Sequence, residues 1–531
     1  MRHFIRRVSQ HNLGLCIFLC ILIALLLAGK NPFDTQSLIP NLEPYPDSLY
    51  YAYPAWNLVH GGDFSMTYID ATVKNVTPPL FSLFLMPFFM LIDDVRVFHV
   101  AQLALLVGST VLLTVCIKQI LSYYKAPNLA NVSMIFLATF FFVTNFYIYT
   151  MPSLLMAELI SITLFLVGSV LLLLPITPRR ASLAGHIGML FLLIKMSNLP
   201  LTLVFNMLYS MKVWRSDQRK NFLMHMFFAF TYTGSYFYFT HFFEGHKNMQ
   251  RGSTFSFSYF WNNLHFYAKT LVGSPTRYLW YTEKFVSPVI SIGALVSAGV
   301  GLTMKESKKI VLAILFTALS LVLFMSFFVT PDARYISTLI PLYSFLWIIG
   351  LVWLQKKIQF SHTFIVAFGG FLILYMFVPA FSYQAKTSEI QVLKKQIGLN
   401  FLHPEDPWNY NAVDAMDRFS TSSKSEGSIY IATFLPQFYV GMFAKNFTAL
   451  PVSIQQEFYS ASDEEEIARL YQLAFASGRV YLSNAYINNL PQIWPQEFKN
   501  KLKKYNGKLV YEDCLGTCNL YLLTPPVAVA N

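Results

Sequence analysis

Apolar runs long enough to cross a membrane recur along most of the chain. The first run is Leu13 to Gly29, close to the roughly 20 helical residues that a bilayer core requires. The run from Ala181 to Val213 is interrupted by Lys195, Asn198 and Pro200, so we predict two short spans there with a break at the outer surface. The remaining runs lie near residues 98–117, 131–150, 155–176, 221–243, 286–304, 310–329, 335–354 and 362–381. This pattern predicts an α-helical polytopic membrane protein with about eleven transmembrane helices.

The pattern changes after the last apolar run. A stretch with helical character, Asp463–Ala476, lies among short runs with strand character: Ser428–Leu435, Arg479–Ile487, Lys508–Asp513 and Cys518–Leu523. Such a mixture is typical of a small α/β domain. We therefore predict a transmembrane domain over residues 1–383 and a soluble α/β domain over residues 384–531.

The composition supports the membrane interpretation. Of the 531 residues, 55% are hydrophobic and only 12% are charged, whereas soluble domains carry about 25% charged residues. This deficit excludes a chain of several soluble domains. Five cysteines are too few for a disulfide-stapled secreted protein.

The positions of the charges predict the orientation in the membrane. Arg2, Arg6 and Arg7 precede the first span, which places the N-terminus in the cytoplasm; a cleaved signal peptide is the alternative, but the run ends at Lys30 without a cleavage site. The segment Pro79–Ile92 reaches only about 21 Å as a helix, so we predict an interfacial helix at the outer face. Later basic clusters then fall in the cytoplasm, and residues 30–97 form a first outer loop. The net charge of +12 thus reflects topology, and no nucleic-acid partner is predicted.

The first outer loop contains a candidate catalytic carboxylate. Asp47 lies close to the predicted membrane surface and is followed by aromatic residues, including Tyr51. A carboxylate in this position suits an acceptor hydroxyl that must be oriented or deprotonated. The alternative is an aromatic belt at the membrane surface beside a solvated aspartate.

The order of motifs resembles that of the GT-C glycosyltransferases, the multi-span enzymes that use polyprenyl-phosphate sugars, such as protein O-mannosyltransferases and aminoarabinose transferases. The first outer loop carries Asp47, Tyr50-Tyr51-Ala52, Gly61-Gly62 and Pro78-Pro79-Leu80. Further matches are Glu158 after the third span, Lys195-Met196-Ser197-Asn198-Leu199-Pro200 between two short spans, and Arg334-Tyr335 with Pro341 before a late span. The resemblance covers residues 1–380, and no signature is present in the C-terminal domain.

The resemblance implies a role for each of these residues. It makes Asp47 the catalytic base and Glu158 an acceptor-binding or metal-binding residue. For the donor phosphate we consider the cations predicted on the outer side: Arg334 as a bidentate donor and Lys74 and Lys195 as point charges, with Tyr51, His60 and Tyr335 as further candidates. Glu158 could instead pair with a structural cation, and Arg334 could pair with Asp332.

The sequence predicts no cofactor with certainty and leaves a divalent metal open. Many GT-C enzymes have two adjacent acids in the first loop, whereas here Ser48 follows Asp47. No complete set of metal ligands is present in the sequence. Cys514 and Cys518 would lie outside the membrane, where a disulfide persists; a C-x3-C metal half-site is the alternative.

The resemblance implies an integral plasma-membrane or inner-membrane glycosyltransferase with an extracytoplasmic C-terminal domain. It would move a hexose or pentose from a polyprenyl-phosphate carrier to a glycan, lipid or protein acceptor, by inversion. A polysaccharide polymerase or ligase, or a transporter of lipid-linked sugars, is the alternative. Acidic residues are nearly absent from the middle of the spans, and charges cluster at their outer boundaries, which argues against a transport path through several spans.

Overall fold

The structure is a computed structural model, and we describe it in two compact units. One unit comprises Met1–Gln36, Val76–Phe81 and His99–Pro407, and the other comprises Ser37–Asn75, Ser82–Phe98 and Trp408–Asn531. The residues that the structure describes are 2–28, 47–64, 66–68, 71–73, 77–93, 95–124, 128–214, 216–239, 256–278, 281–328, 330–358, 370, 411–423, 427–453, 464–487, 492–512 and 518–525.

The described part of the first unit is mostly helical. Its helices are α1 (Arg2–Ala28), α4 (Phe98–Tyr124), α5 (Asn128–Val143), α6 (Phe146–Thr150), α7 (Glu158–Leu173), α8 (Pro178–Ile194), α9 (Leu199–Val213), α10 (Arg219–Phe239), α11 (Phe260–Leu271), α12 (Pro288–Thr303), α13 (Lys308–Met325) and α14 (Ile340–Ile358). A two-stranded antiparallel sheet follows α11, with strands β3 (Pro275–Tyr278) and β4 (Tyr281–Lys284).

Three of the described helical segments are long and apolar enough to cross a membrane: Phe98–Tyr124, Lys308–Met325 and Ala333–Lys357. Shorter apolar helices occur at Leu13–Ala28, Leu80–Leu91, Val132–Val143, Glu158–Leu173 and Pro288–Thr303. The helical character of ten of the predicted spans agrees with the structure, and the run at 362–381 lies almost entirely outside the described residues. The total of about eleven spans stays a prediction.

The predicted break between two short spans is present at Lys195. Helix α8 ends at Ile194 because Lys195 adopts an extended conformation, with φ −160° and ψ 134°. One 3-10 turn follows, and α9 begins at Leu199 with Pro200 in its first turn, where proline loses no helical hydrogen bond. The Asn198 amide donates to the Ser161 hydroxyl at 2.9 Å, which fixes the break against α7.

The second unit contains a five-stranded mixed sheet. Its strands are β5 (Ser428–Thr433), β6 (Thr448–Pro451), β7 (Gly478–Ser483), β8 (Lys508–Tyr511) and β9 (Leu520–Leu523), in the order β6-β5-β7-β9-β8. Strand β5 pairs in parallel with β6 and β7, whereas β9 is antiparallel to β7 and β8. The associated helices are α15 (Asn411–Ser422), α16 (Gln437–Phe443), α17 (Glu464–Ser477) and α18 (Trp494–Lys504).

A hydrophobic core holds this sheet and its helices together. Phe434 stacks on Trp494 with ring centroids 4.8 Å apart, and Tyr471 stacks on Tyr505 at 5.2 Å.

The structure contains, within a few residues, the predicted helix at 463–476 and the predicted strands near 428, 479, 508 and 518. The short strand β6 was not predicted.

The remaining elements of the second unit come from the first outer loop. They are α2 (Asp47–Val59), the antiparallel strands β1 (Met66–Tyr68) and β2 (Ala71–Val73), and α3 (Leu80–Leu91), whose first two residues belong to the first unit. Helix α2 contacts α16, with the Tyr53 and Phe438 rings 4.7 Å apart. Helix α3 is shorter than a membrane-spanning helix, as the sequence predicted. Its interfacial position stays a prediction.

Candidate functional site

The first residue of α7 is a buried carboxylate. Glu158 is 4% exposed and lies at the N-terminal end of the helix, where the helix dipole stabilises a negative charge. Its Oε1 accepts a hydrogen bond from Nζ of Lys195 at 2.5 Å. Its Oε2 is buried and has no hydrogen-bond partner within the described part of the chain.

The ammonium of Lys195 reaches this carboxylate because the chain leaves the helical conformation at that residue. The Lys195 side chain is 18% exposed. Its Nζ also lies 5.0 Å from the ring centroid of Tyr335, which is a cation–π distance. Lys195 thus contacts a carboxylate and an aromatic face at the same time.

A short 3-10 helix, Ala333–Leu339, supplies the other side of the cluster and packs against α7. Asp332 caps this helix, since its Oδ1 accepts from the backbone N–H of Arg334 at 2.9 Å. The Arg334 guanidinium lies 3.7 Å from Asp332 Oδ2 through Nε and donates to the Tyr335 hydroxyl at 3.2 Å. The pairing of Arg334 with Asp332, one of the two interpretations of the sequence, is therefore present.

Tyr335 contacts both cations. The Arg334 guanidinium carbon is 5.0 Å from the Tyr335 ring centroid, the same distance as Nζ of Lys195. Glu158, Lys195, Asp332, Arg334 and Tyr335 thus form a continuous set of contacts, which we call the tyrosine-cation cluster. It contains two carboxylates and two cations, each at least four-fifths buried.

A second tyrosine borders this cluster. Tyr267 of α11 is fully buried. Burial raises the pKa of its hydroxyl well above the ordinary value, and Asp332, Arg334 and Tyr335 all interact with it electrostatically. The hydroxyl therefore remains protonated at neutral pH. Sequence reasoning missed Tyr267, because nothing in its local pattern indicates that α11 brings it to Asp332.

The structure brings together four of the residues predicted for the site: Glu158, Lys195, Arg334 and Tyr335. They come from three segments of the first unit that are far apart in sequence. Charge-assisted hydrogen bonds from lysine and arginine are strong contacts for phosphate and carboxylate groups, and they are stronger where water is excluded. This arrangement suits the binding of an anionic group.

Asp47 and Tyr51 belong to the second unit. Asp47 is the first residue of α2 and is partly buried, and Tyr51, one turn later, is 5% exposed. Residues 48–55 of α2 are all buried, although the helix contains Pro54. Asp47 lies in the first turn of the helix, where its charge is stabilised by the dipole.

His60 has partners for both ring nitrogens. Its Nε2 lies 2.8 Å from Asp93 Oδ1 and its Nδ1 lies 2.8 Å from the Trp56 carbonyl oxygen. Its ring also packs on Trp56, with centroids 4.0 Å apart. These contacts connect the end of α2 to the end of α3, which is a positioning role within the second unit.

The remaining predictions from the sequence are a further anion-binding residue, a metal site and a disulfide bond. Lys74 and Cys514 lie outside the described residues. Cys518 is disulfide-bonded, whereas Cys16, Cys20 and Cys116 are free. Among the described residues, no group of three or more histidine, cysteine, aspartate or glutamate side chains could hold a metal ion.

No protein-family model matches the chain, and no curated protein matches it. Two crystal structures of ArnT from Cupriavidus metallidurans match in fold. The apo state matches at 12% identity and the state bound to undecaprenyl phosphate at 11%, each with a TM-score of 0.57 over 96% of this chain and 99% of that chain. An oligosaccharyltransferase from Archaeoglobus fulgidus, tethered with an acceptor peptide, matches at 11% identity and a TM-score of 0.48, over 97% of this chain and 75% of that chain. The likeness to ArnT confirms the predicted GT-C-like fold.

Proposed function

We propose that this chain, which has the GT-C fold of ArnT, is an integral-membrane glycosyltransferase. It would transfer a sugar from a polyprenyl-phosphate carrier to a glycan, lipid or protein acceptor at the extracytoplasmic face. Two findings support this: the fold shared with ArnT over nearly the whole of both chains, and the binding of undecaprenyl phosphate by that protein.

The observation that carries the proposal is the tyrosine-cation cluster. When the sugar leaves its carrier, negative charge develops on the lipid phosphate, and buried cations stabilise it far better than water-exposed ones. Lys195 would offer a point charge and Arg334 a fork of donors to that phosphate. Tyr335, which contacts both cations, would keep them oriented while the phosphate is absent.

Glu158 and Asp47 would serve the acceptor side of the reaction. An inverting displacement needs a carboxylate to orient or deprotonate the acceptor hydroxyl. We assign this role to Asp47, as the resemblance implies. Glu158, whose second oxygen has no partner in the described structure, would hold Lys195 in the empty state and accept a hydrogen bond from the acceptor when phosphate engages Lys195.

The membrane placement is part of the same proposal. The N-terminus would lie in the cytoplasm and the C-terminal α/β domain outside, as the distribution of basic residues predicts. The lipid tail of the donor would lie between spanning helices, which explains why a transferase has so many of them. Lys74, on the same outer side by this topology, would be a further phosphate ligand.

The test is a transfer assay in native membranes or nanodiscs with polyprenyl-phosphate sugars as donors. We compare wild type with Asp47→Asn and use Asp63→Asn, an exposed acid of the same unit, as the matched control. The product is detected by mass spectrometry. We expect Asp47→Asn to lose at least about 100-fold in rate, in line with general-base catalysis, and Asp63→Asn to retain activity.

Three results would contradict the proposal, in part or as a whole. Undiminished transfer by Asp47→Asn would remove that residue from the mechanism. The absence of lipid-dependent transfer with every donor, in preparations that show correct folding, would exclude the enzyme. Movement of a lipid-linked sugar across the bilayer without formation of a new glycosidic bond would instead identify a transporter.

A further inference from the structure

Two cations meet at the C-terminal end of α7, where α7 leads into α8 and α9 leads into α10. The Arg180 guanidinium donates to the Pro175 carbonyl oxygen at 2.8 Å. The Lys212 ammonium donates to three carbonyl oxygens at the end of the same helix. The two side chains also interact with each other electrostatically, as like charges. Within the described part of the chain, neither of them forms an ion pair with a carboxylate.

The dipole of α7 balances only part of this positive charge. The C-terminal end of a helix is equivalent to about half a negative charge, whereas the two side chains carry a full positive charge each. All the N–H donors of Lys212 are taken up by carbonyl oxygens, so this lysine contributes charge but no further hydrogen bond. A guanidinium carries five N–H donors, and among the described residues that of Arg180 uses only the one that reaches Pro175. Arg180 can therefore bind an anion without giving up a contact.

A buried hydroxyl beside Arg180 is an independent indication of a ligand. Tyr209 of α9 is fully buried, and its hydroxyl has no hydrogen-bond partner among the residues that the structure describes. It interacts electrostatically with Arg180, and Nζ of Lys212 lies 5.9 Å from its ring centroid. Buried hydroxyl groups in native proteins nearly always have a partner. An anionic oxygen held by Arg180 would supply the acceptor that the Tyr209 hydroxyl needs.

Helix α9 also carries an exposed apolar strip that ends at the same level. The strip follows an i, i+4, i+8, i+11 spacing and consists of Leu203, Met207, Met211 and Trp214, which are between 41% and 68% exposed. Flexible methionine side chains adapt to irregular apolar partners, and tryptophan is enriched at membrane interfaces. The Arg219 guanidinium carbon lies 5.6 Å from the Trp214 ring centroid, so a further cation lies at this end of the strip. An apolar strip with a cationic end matches the two parts of an anionic lipid.

We propose that Arg180 and Tyr209 bind the phosphate of an anionic phospholipid from the inner leaflet, whose acyl chains lie along the exposed strip of α9. In the membrane placement proposed above, this end of the four helices faces the cytoplasm. Basic pockets between spanning helices on that side bind anionic headgroups, and the donor fork of an arginine fits a phosphate. Lys212 adds positive charge without a direct contact. The inference rests on the proposed membrane placement and does not depend on sugar transfer.

The experiment measures lipid binding by native mass spectrometry of the detergent-solubilised full chain. Phosphatidylglycerol and phosphatidylcholine with identical acyl chains are added, and inorganic phosphate and polyprenyl phosphate serve as competitors. Arg180→Gln is compared with Arg179→Gln, which removes the same charge from the neighbouring, exposed residue in the first turn of α8. Tyr209→Phe removes only an oxygen that has no partner in the described structure, so it tests the site even if Arg180→Gln fails to fold.

We expect wild type and Arg179→Gln to prefer phosphatidylglycerol, and Arg180→Gln to lose about tenfold of that preference, the value of one charge-assisted contact. Tyr209→Phe should lose about threefold, because a neutral donor contributes less. The inference is overturned if Arg179→Gln and Arg180→Gln lose equally, which would indicate general attraction to basic loops, or if wild type shows no preference. Displacement of phosphatidylglycerol by an equal concentration of either competitor would also overturn it. Binding does not require catalysis, so absence of transfer with this preference intact would contradict only the proposed function.

Discussion

Two lysine–glutamate pairs, one in each unit, share the same local arrangement but differ in their surroundings. In each pair the glutamate is the first residue of a helix: Glu158 of α7 and Glu464 of α17. Each lysine also lies over a tyrosine ring, Lys195 at 5.0 Å from Tyr335 and Lys501 at 5.1 Å from Tyr471. The side chain of Glu464, however, is 61% exposed, whereas that of Glu158 is 5% exposed.

The two pairs differ in how far water reaches the carboxylate. Water solvates the carboxylate of Glu464, and the N···O distance between Lys501 and Glu464 is 3.5 Å. This contact therefore adds only modest stability to the second unit. Glu158 has no such solvent, and its pair is joined through Tyr335 to Arg334 and Asp332. In the proposed function, Lys195 of the buried pair binds the donor phosphate, whereas Lys501 makes only a structural contact.

The largest expected effect is on transfer when the two lysines are exchanged for methionine. Lys195→Met should lower the transfer rate by at least about 100-fold, because it removes a buried donor to the developing phosphate charge. Lys501→Met should leave the rate unchanged. The assay compares initial rates at equal amounts of folded protein, and equal losses in both variants would contradict the distinction between the pairs.

The second effect is on stability when each glutamate is neutralised. Glu158→Gln leaves a buried cation without its carboxylate and should cost about 3–5 kcal/mol, whereas Glu464→Gln should cost at most about 1 kcal/mol. The apparent Tm of each variant, measured in detergent, shows which of the two substitutions costs more stability. The double variant Glu158→Gln with Lys195→Met should recover part of the loss, and no recovery would count against the pairing.

A smaller effect is expected at the other end of α7. The Lys212 ammonium donates to the carbonyl oxygens of Leu171, at 3.2 Å, Leu172, at 2.7 Å, and Leu174, where it complements the helix dipole. Lys212→Met should cost about 1–2 kcal/mol and leave the transfer rate per folded molecule unchanged. Lys305→Met, an exposed lysine in a loop, is the control for the Tm measurement. A selective loss of transfer in Lys212→Met would show that this lysine also has a functional role.

The smallest effect is the pH dependence of the Lys501–Glu464 pair, in which the lysine is buried and the glutamate is exposed. Burial lowers the pKa of the Lys501 ammonium from 10.5, with Glu464 opposing the shift. The folded chain therefore binds this proton less tightly than the unfolded chain. Its contribution to the free energy of unfolding should rise as the pH increases from the lowered pKa towards 10.5. Amide hydrogen exchange of α18, corrected for intrinsic rates, should show this rise in wild type and not in Lys501→Met; the same slope in both would contradict it.

The sequence predicted the helical break at Lys195 because a charge, an asparagine and a proline interrupt an apolar run within six residues. It also predicted four of the five strands of the mixed sheet, since apolar and β-branched residues are concentrated there. These features depend on local chemistry. The pairing of Arg334 with Asp332 could be predicted from the sequence for the same reason, because the two residues lie two positions apart.

The features that the sequence did not predict depend on contacts between distant segments. The pairing of Glu158 with Lys195 joins residues 37 positions apart, and only the packing of α7 against the end of α8 brings them together. Helix α11 lies between the predicted spans at 221–243 and 286–304, where no helix was predicted. Its three fully buried positions, Asn263, Tyr267 and Thr270, carry polar atoms, so burial at these positions does not follow hydropathy.

The most direct test of the central claim is the binding of polyprenyl phosphate, without a sugar, compared with polyprenol. Binding is measured by native mass spectrometry or thermal shift in wild type, Lys195→Met and Lys501→Met. We predict that wild type and Lys501→Met prefer the phosphorylated lipid, and that Lys195→Met loses about tenfold or more of that preference, the value of one charge-assisted contact. Equal binding of the two lipids by wild type would contradict the assignment of the tyrosine-cation cluster as a phosphate site.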